Sequence, residues 1–104
     1  MNREALLEQV RRAIHEIEPD AEIILYGSRA RNDSDEQSDW DFLILLDGPV
    51  DDGRIDKIRH RLYEIEWQCD EVLCSIIRNR EEWNSPLYEN MPFHRNVEVD
   101  GIVL

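Results

Sequence analysis

Apolar residues recur along this chain with two different periods, and the change of period predicts alternating helices and strands. From Asn2 to Glu18 the apolar positions are three or four residues apart, which is the spacing of one face of a helix. The next apolar residues, Ile23 to Tyr26, are consecutive and predict a short buried strand. A second consecutive run, Phe42 to Leu46, is apolar on both faces and predicts a central strand that is covered on both sides.

The second half of the chain continues this alternation. Helical spacing returns between Asp52 and Gln68, and Glu71 to Ile77 predicts a third strand. Two short helices are expected after it, over Glu81 to Trp83 and over Leu87 to Val97, and residues 102–104 form a short apolar end. The order α-β-α-β-α-β-α predicts an α/β fold, with a small mixed β-sheet and helices packed on it. We expect one domain over residues 1–104.

Composition and charge narrow the class of protein. A chain of 104 residues is too short for two domains. It has no apolar run of about eighteen residues and no apolar signal-peptide region near its start, so we expect a cytoplasmic protein without a membrane span. Twelve basic and twenty-four acidic residues give a net charge of −12, which would repel DNA and RNA. Cys69 and Cys74 lack zinc-site spacing and are expected to be reduced thiols in or near the core.

Two aspartates stand just before the central strand. Asp39 and Asp41 are two residues apart, so both side chains leave the same face of a strand. Like charges so close together repel each other unless a cation neutralises them. The pair is therefore either a metal site or two solvated side chains where a loop ends.

A glycine turn upstream of these aspartates favours the metal site. Gly27 follows the first predicted strand, and the residues after it, from Ser28, predict the start of a helix. Such a turn presents backbone N–H groups to an anion, glycine allows close approach, and Ser28 adds a hydroxyl. Arg29 can then meet phosphate charge. The turn is not a Walker P-loop, because the second glycine and the lysine of that motif are missing. Residues 32–38 are expected to form a polar loop that returns Asp39 to the turn.

Two segments together resemble a known signature. Gly27-Ser28-Arg29-Ala30-Arg31 and Ser38-Asp39-Trp40-Asp41-Phe42 are similar to the G-S-x-A-R-G and S-D-x-D-hydrophobic motifs of the minimal nucleotidyltransferases, in the DNA polymerase beta-like superfamily. Asn32 stands where that family usually has glycine, and asparagine tolerates a left-handed backbone better than most residues. The resemblance implies the polymerase beta-like nucleotidyltransferase fold.

The same resemblance implies a set of site residues and a reaction. The Gly27–Arg29 turn would bind a nucleoside triphosphate, and Asp39 and Asp41 would be catalytic residues that hold Mg²⁺. A third carboxylate from a later strand completes the family's site; Glu71 is expected to supply it, with Asp70 as the alternative. The implied reaction moves a nucleoside monophosphate, AMP from ATP, onto a hydroxyl group. The alternative is a catalytically silent module of the same fold that binds a nucleotide or a partner.

The resemblance also implies a partner. Some minimal nucleotidyltransferases transfer AMP to a tyrosine of a small helical toxin of the HEPN type and so silence it, which implies an antitoxin role here. With one domain, the acceptor would have to be presented by another chain or by a homo-oligomer. Four basic residues of the second long helix form either a salt-bridged, solvated face or a docking surface for an acidic patch of the partner. They are Arg54, Lys57, Arg59 and Arg61.

Overall fold

The computed structural model describes residues 2–31 and 38–104. The helices of these ranges are α1 (Arg3–Ile17), α2 (Ser28–Arg31), α3 (Asp52–Cys69), α4 (Arg80–Trp83), α5 (Pro86–Glu89) and α6 (Pro92–Asp100). The strands are β1 (Glu22–Tyr26), β2 (Trp40–Leu46), β3 (Leu73–Asn79) and β4 (Ile102–Val103). The loop predicted over residues 32–38, with Asn32, lies outside the described residues except for Ser38. None of the described helices has the length and apolar character needed to cross a membrane.

The four strands form one mixed sheet in the order β3-β2-β1-β4. Strand β2 is antiparallel to β1 and parallel to β3, and β4 is antiparallel to β1. A parallel pair requires a crossover connection, which α3 supplies between β2 and β3. Because β2 lies inside the sheet with helices on both faces, all of Phe42 to Leu46 is buried. The predicted α/β class, a small mixed sheet with helices packed on it, is confirmed.

The two faces of the sheet carry different clusters. On one face α1 and α3 pack against β2 and bury Trp40, Phe42 and Ile44. On the other face Leu43 and Leu45 pack against the C-terminal helices α4 and α6. Asp41 has the same parity as Leu43, because side chains alternate along a strand, so it lies on the face of the smaller cluster.

The third strand begins two residues later than predicted. The prediction was Glu71 to Ile77, whereas β3 spans Leu73–Asn79. Helix α3 ends at Cys69, and the next residue, Asp70, caps it with a left-handed backbone of φ 56°. The Asp70 N–H donates a hydrogen bond to the Glu66 carbonyl oxygen. This cap turns the chain sharply, so the pairing with β2 starts only at Leu73.

The C-terminal part also differs from the prediction. The single helix expected over residues 87–97 is two helices, because Pro92 has no N–H and holds the preceding Met91 in an extended backbone, with φ −81° and ψ 139°. The apolar end forms β4, which pairs with Ile24 and Leu25 of β1. The apolar pattern of residues 102–104 did not predict a strand, because two paired residues are too few to show a period.

Candidate active site

The turn after β1 brings Gly27 against Asp41. The antiparallel register places Tyr26 opposite Asp41, and Gly27 follows with a φ of +79°. A Cβ atom at Gly27 would lie 2.8 Å from Oδ2 of Asp41, closer than real Cβ atoms approach other atoms. Glycine fits because it adopts the left-handed backbone without strain and leaves room for the carboxylate.

Asp39 and Asp41, here called the aspartate pair, share one side of the sheet with Cys74. Cys74 stands beside Asp41 in the parallel register of β2 and β3, and its thiol is 3.8 Å from Oδ2 of Asp39. Burial and the charge of Asp39 raise the pKa of Asp41. Burial and both carboxylates raise the pKa of Cys74, so its thiol is protonated at neutral pH. Burial, with Asp41 and Cys74, raises the pKa of Tyr26 to about 12.

These donors fit a hard divalent cation. Carboxylate oxygens are the ligands that Mg²⁺ and similar ions prefer in proteins. Burial is the largest cause of the raised pKa of Asp41 and of Tyr26, and neighbouring negative charge adds to it in both cases. A cation bound by the carboxylates would oppose that second contribution. Within residues 2–31 and 38–104 there is no group of three or more metal-ligating side chains. Among the described residues, the candidate ligands for such a cation are therefore the two aspartates.

Glu71 lies on the other side of the strand from the aspartate pair. Its Oε2 accepts a hydrogen bond from Nε1 of the Trp40 indole at 3.1 Å and lies 3.7 Å from Nη2 of Arg29. Trp40 faces the larger cluster, away from Asp41. The structure therefore joins Glu71 to Trp40 and Arg29 and does not bring it to the aspartate pair. Asp70, the alternative third acid, is an exposed cap of α3.

Arg29 connects the turn to the chain before β2. Its Cζ atom lies 4.4 Å from the centroid of the Trp40 ring, and its Nε and Nη2 donate to the Ser38 carbonyl oxygen at 3.1 and 2.9 Å. Only 14% of the Arg29 side chain is exposed. Arg3 of α1 donates a hydrogen bond to the Arg29 carbonyl oxygen. Trp40, Arg29 and Glu71, here called the tryptophan cluster, thus hold α2 against the segment that carries Asp39.

Sequence reasoning missed this positioning role. It assigned Arg29 to phosphate and Trp40 to the core, and the core assignment is correct, since Trp40 is buried. A signal was present in the sequence, because Arg29 is two residues after the turn glycine and Trp40 lies between the aspartates, so the two side chains come close if the loop returns to the turn. The proximity of Cys74 to the aspartate pair had no such signal, because it depends on the register between β2 and β3.

Ser28 opens α2 next to the aspartate pair. The Gly27 carbonyl oxygen accepts hydrogen bonds from the N–H groups of Ala30 and Arg31 at 3.1 and 3.2 Å, so the helical turn begins directly after the glycine. The N–H of the first residue of a helix, here Ser28, has no acceptor within the helix. The half-buried Ser28 and its backbone N–H are therefore placed where an anion beside Gly27 could reach them.

The basic residues of α3 are partly engaged within the protein. Nε and Nη2 of Arg54 donate to the Glu18 carboxylate at 2.9 and 2.7 Å, and Nη2 of Arg61 donates to Glu16 at 2.9 Å. These pairs join α3 to α1 and to the residue that caps it. The contacts favour the salt-bridged interpretation of this face over a docking surface for an acidic partner.

Comparison with known proteins identifies the family. Residues 7–101, which include the turn, the aspartate pair and β3, match the family model described as "Nucleotidyltransferase domain". The chain is also similar to a protein of Methanocaldococcus jannaschii that carries the name "Putative protein adenylyltransferase". The two are 38% identical over 82 residues, which cover 79% of this chain and 75% of that protein. This chain therefore belongs to the nucleotidyltransferase domain family and is a transferase enzyme of that family.

Proposed function

We propose that this nucleotidyltransferase moves AMP from ATP onto a hydroxyl group of another protein, with Mg²⁺ held by Asp39 and Asp41. The observation that carries the proposal is the close approach of Gly27 to Asp41, because the turn suited to phosphate is built against the carboxylates suited to the cation. Transfer of an adenylyl group and a protein as acceptor are supported by the name of the similar protein from M. jannaschii. Cys69 and Cys74 are free thiols, which supports a cytoplasmic location.

The reaction exchanges one bond at the α-phosphorus for another. The acceptor oxygen bonds to the α-phosphorus, the bond from that phosphorus to the bridging oxygen breaks, pyrophosphate leaves, and the hydroxyl proton passes to a base or to solvent. A divalent cation, when bound by the aspartate pair, would neutralise phosphate charge and orient the α-phosphate. In the chain itself, Gly27 lets the phosphates approach the backbone, and Ser28 donates hydrogen bonds to them.

We assign Glu71 a positioning role in this site. The family resemblance would make it a third metal ligand, but its hydrogen bond to Trp40 and its ion pair with Arg29 direct its carboxylate to the tryptophan cluster. Through Arg29 it supports the return of Asp39 to the turn. The alternative function is a nucleotide-binding module of the same fold without transfer; its one supporting observation is that the described residues bring only two carboxylates together.

The acceptor protein is a further part of the proposal. A tyrosine of a HEPN-type toxin is the acceptor that the family resemblance implies, and with it an antitoxin role; both stay predictions. A nucleic acid polymer is not proposed as a substrate, since the chain carries a net charge of −12.

Label transfer tests the function. The purified protein is incubated with Mg²⁺, an extract of its native cells and ATP labelled at either the α- or the γ-phosphate. Relative to the extract alone, we expect the added protein to cause label on a polypeptide from α-labelled ATP only, and Asp41→Asn to cause none. Asp56→Asn is the matched control, because it removes the charge of an exposed aspartate on α3, and it should label as the wild type does.

Three results would contradict the proposed transfer. Label from γ-labelled ATP that depends on the added protein would indicate phosphoryl transfer instead of nucleotidyl transfer. Label that persists in Asp41→Asn would remove the aspartate pair from the reaction. A wild-type protein that binds Mg-ATP but labels neither a polypeptide nor a small molecule would establish the silent module.

A further inference from the structure

A groove with exposed aromatic side chains lies on the outer side of α3. Tyr63 and Trp67 are one helical turn apart, and 62% and 87% of their surfaces are exposed. Val72, 51% exposed, follows the end of the same helix. With Glu66, Asp70 and Glu71, these residues line a groove of about 380 Å³, here called the Trp67 groove.

The aromatic residues of this groove are not required by the core. The inner face of α3 buries Ile58, Leu62 and Ile65. The other two tryptophans, Trp40 and Trp83, are only 4% and 5% exposed. Tryptophan and tyrosine are, with arginine, the residues that most often contribute strongly to binding at protein interfaces. The Trp67 groove therefore has the composition of a docking site.

Charge selects the class of occupant. The charged residues that line the groove are Glu66, Asp70 and Glu71, all of them acidic, and the whole chain has a net charge of −12. A second copy of this chain would bring like charges together, and a nucleic acid would be repelled. A polypeptide segment that surrounds an apolar side chain with lysine or arginine would complement both the aromatic side chains and the carboxylates.

The Trp67 groove adjoins the active site. The Val72 carbonyl oxygen accepts a hydrogen bond from the Trp40 N–H at 2.9 Å, and Trp40 lies between the two aspartates. Glu71 belongs both to the groove and to the tryptophan cluster. A segment bound in the groove would therefore lie next to the part of the chain that carries the aspartate pair, on the side of the tryptophan cluster.

We propose that the Trp67 groove docks a basic, amphipathic segment of the protein that carries the acceptor hydroxyl. The apolar side chain of the segment packs on Trp67 and Tyr63, and its basic side chains pair with Glu66 and Asp70. The docking needs no nucleotide. Only its role in presenting the acceptor rests on the proposed function.

Trp67 is itself the reporter for this docking, because the other tryptophans are buried. The probe is a synthetic amphipathic helical peptide of leucine and lysine; its controls carry glutamate for lysine or alanine for leucine. We expect the leucine–lysine peptide to shift the fluorescence of Trp67 to shorter wavelength and to protect it from acrylamide. The two control peptides should do neither at the same concentration.

Substitutions separate docking from general attraction to an acidic protein. Trp67→Ala and Tyr63→Ala are made separately, and both keep the net charge of the wild type. In calorimetry, Trp67→Ala should bind the leucine–lysine peptide about tenfold or more weakly, as expected for an aromatic hot spot. Leu87→Ala is the matched control, because Leu87 is 70% exposed on α5 and lies outside the groove. It should bind as the wild type does. Glu66→Gln with Asp70→Asn should weaken binding and reduce its dependence on salt.

Three outcomes would overturn the docking proposal. The first is equal binding of the leucine–lysine peptide to the wild type and to both aromatic variants. The second is binding of the glutamate peptide as tight as that of the lysine peptide. A dimer of the wild type, measured by light scattering and lost in Trp67→Ala, would assign the groove to a second copy. The thermal shift caused by Mg-ATP should be the same in Trp67→Ala and wild type, so a loss of docking is distinguishable from a loss of the nucleotide site.

Discussion

Replacing Gly27 with alanine tests whether the turn and the aspartate pair form one site. Gly27 has a φ of +79°, and a left-handed backbone costs an alanine about 1–2 kcal/mol. The new Cβ would also lie 2.8 Å from Oδ2 of Asp41. The carboxylate can rotate away at small cost in stability, but it then leaves the position where a cation would bind. Gly27→Ala should therefore fold, with reduced stability, and lose binding of Mg-ATP.

Gly48 offers a matched control for the backbone cost. Its φ is +76°, and a Cβ there would meet only Nη1 of Arg54, at the ordinary contact distance of 3.9 Å. Gly48→Ala should lose the same amount of unfolding free energy, about 1–2 kcal/mol, without disturbing Asp41. In a domain of this size a loss of 1 kcal/mol lowers Tm by about 4–8 °C, so both variants should melt about 4–16 °C below the wild type.

Thermal melts with and without Mg-ATP, together with calorimetric titration, measure both effects. A ligand at a hundred times its Kd stabilises a protein by about 2.7 kcal/mol, so the wild type and Gly48→Ala should melt at clearly higher temperature with Mg-ATP. Gly27→Ala should show no rise. A Mg-ATP shift of wild-type size in Gly27→Ala would refute the reasoning. An equal loss of the shift in Gly48→Ala would show that backbone strain, not the contact with Asp41, disrupts the site.

Three further changes test the site and the fold. Asp39→Asn with Asp41→Asn should abolish the rise in Tm that Mg-ATP causes. In EDTA the variant should be at least as stable as the wild type, because two like charges are removed. A lower Tm than wild type in EDTA would contradict this. Glu71→Gln should cost about 1 kcal/mol of unfolding free energy through the tryptophan cluster, with Mg²⁺ affinity unchanged in calorimetry. A loss of Mg²⁺ affinity at unchanged Tm would instead make Glu71 a metal ligand. The hydrogen bond from Arg54 lowers the pKa of Glu18 in the folded state. The pair therefore stabilises the fold at any pH above the unfolded-state pKa of Glu18. This contribution is lost as pH falls through the lower, folded-state pKa. Urea titrations measure the difference in unfolding free energy between wild type and Glu18→Gln. This difference should be about 1–2 kcal/mol at neutral pH and should shrink in acid. A difference that stays constant with pH would count against the pair.

Local sequence patterns were sufficient to predict most of the secondary structure and the part of the candidate site formed by Gly27 and the aspartate pair. The periods of the apolar residues predicted α1, α3, β1 and β2, because each of these elements presents its apolar face with a spacing set by its own geometry. The signature around Gly27 and the aspartate pair predicted the family, since those residues are close in sequence and their chemistry needs that spacing. The proximity of Gly27 to Asp41 follows from adjacent strands with a short connection.

Long-range pairing decided the rest. The side of β2 that Glu71 reaches depends on where α3 ends and where β3 begins to pair, and a shift of one residue would exchange the two faces. For the same reason Cys74, not a carboxylate, stands beside Asp41. The helical pattern of α3 predicted its inner face but not what covers its outer face, so the exposure of Trp67 was visible only in the folded chain. Sequence spacing determines which face of an element a residue occupies, whereas the neighbours of that face are set by the packing of distant segments.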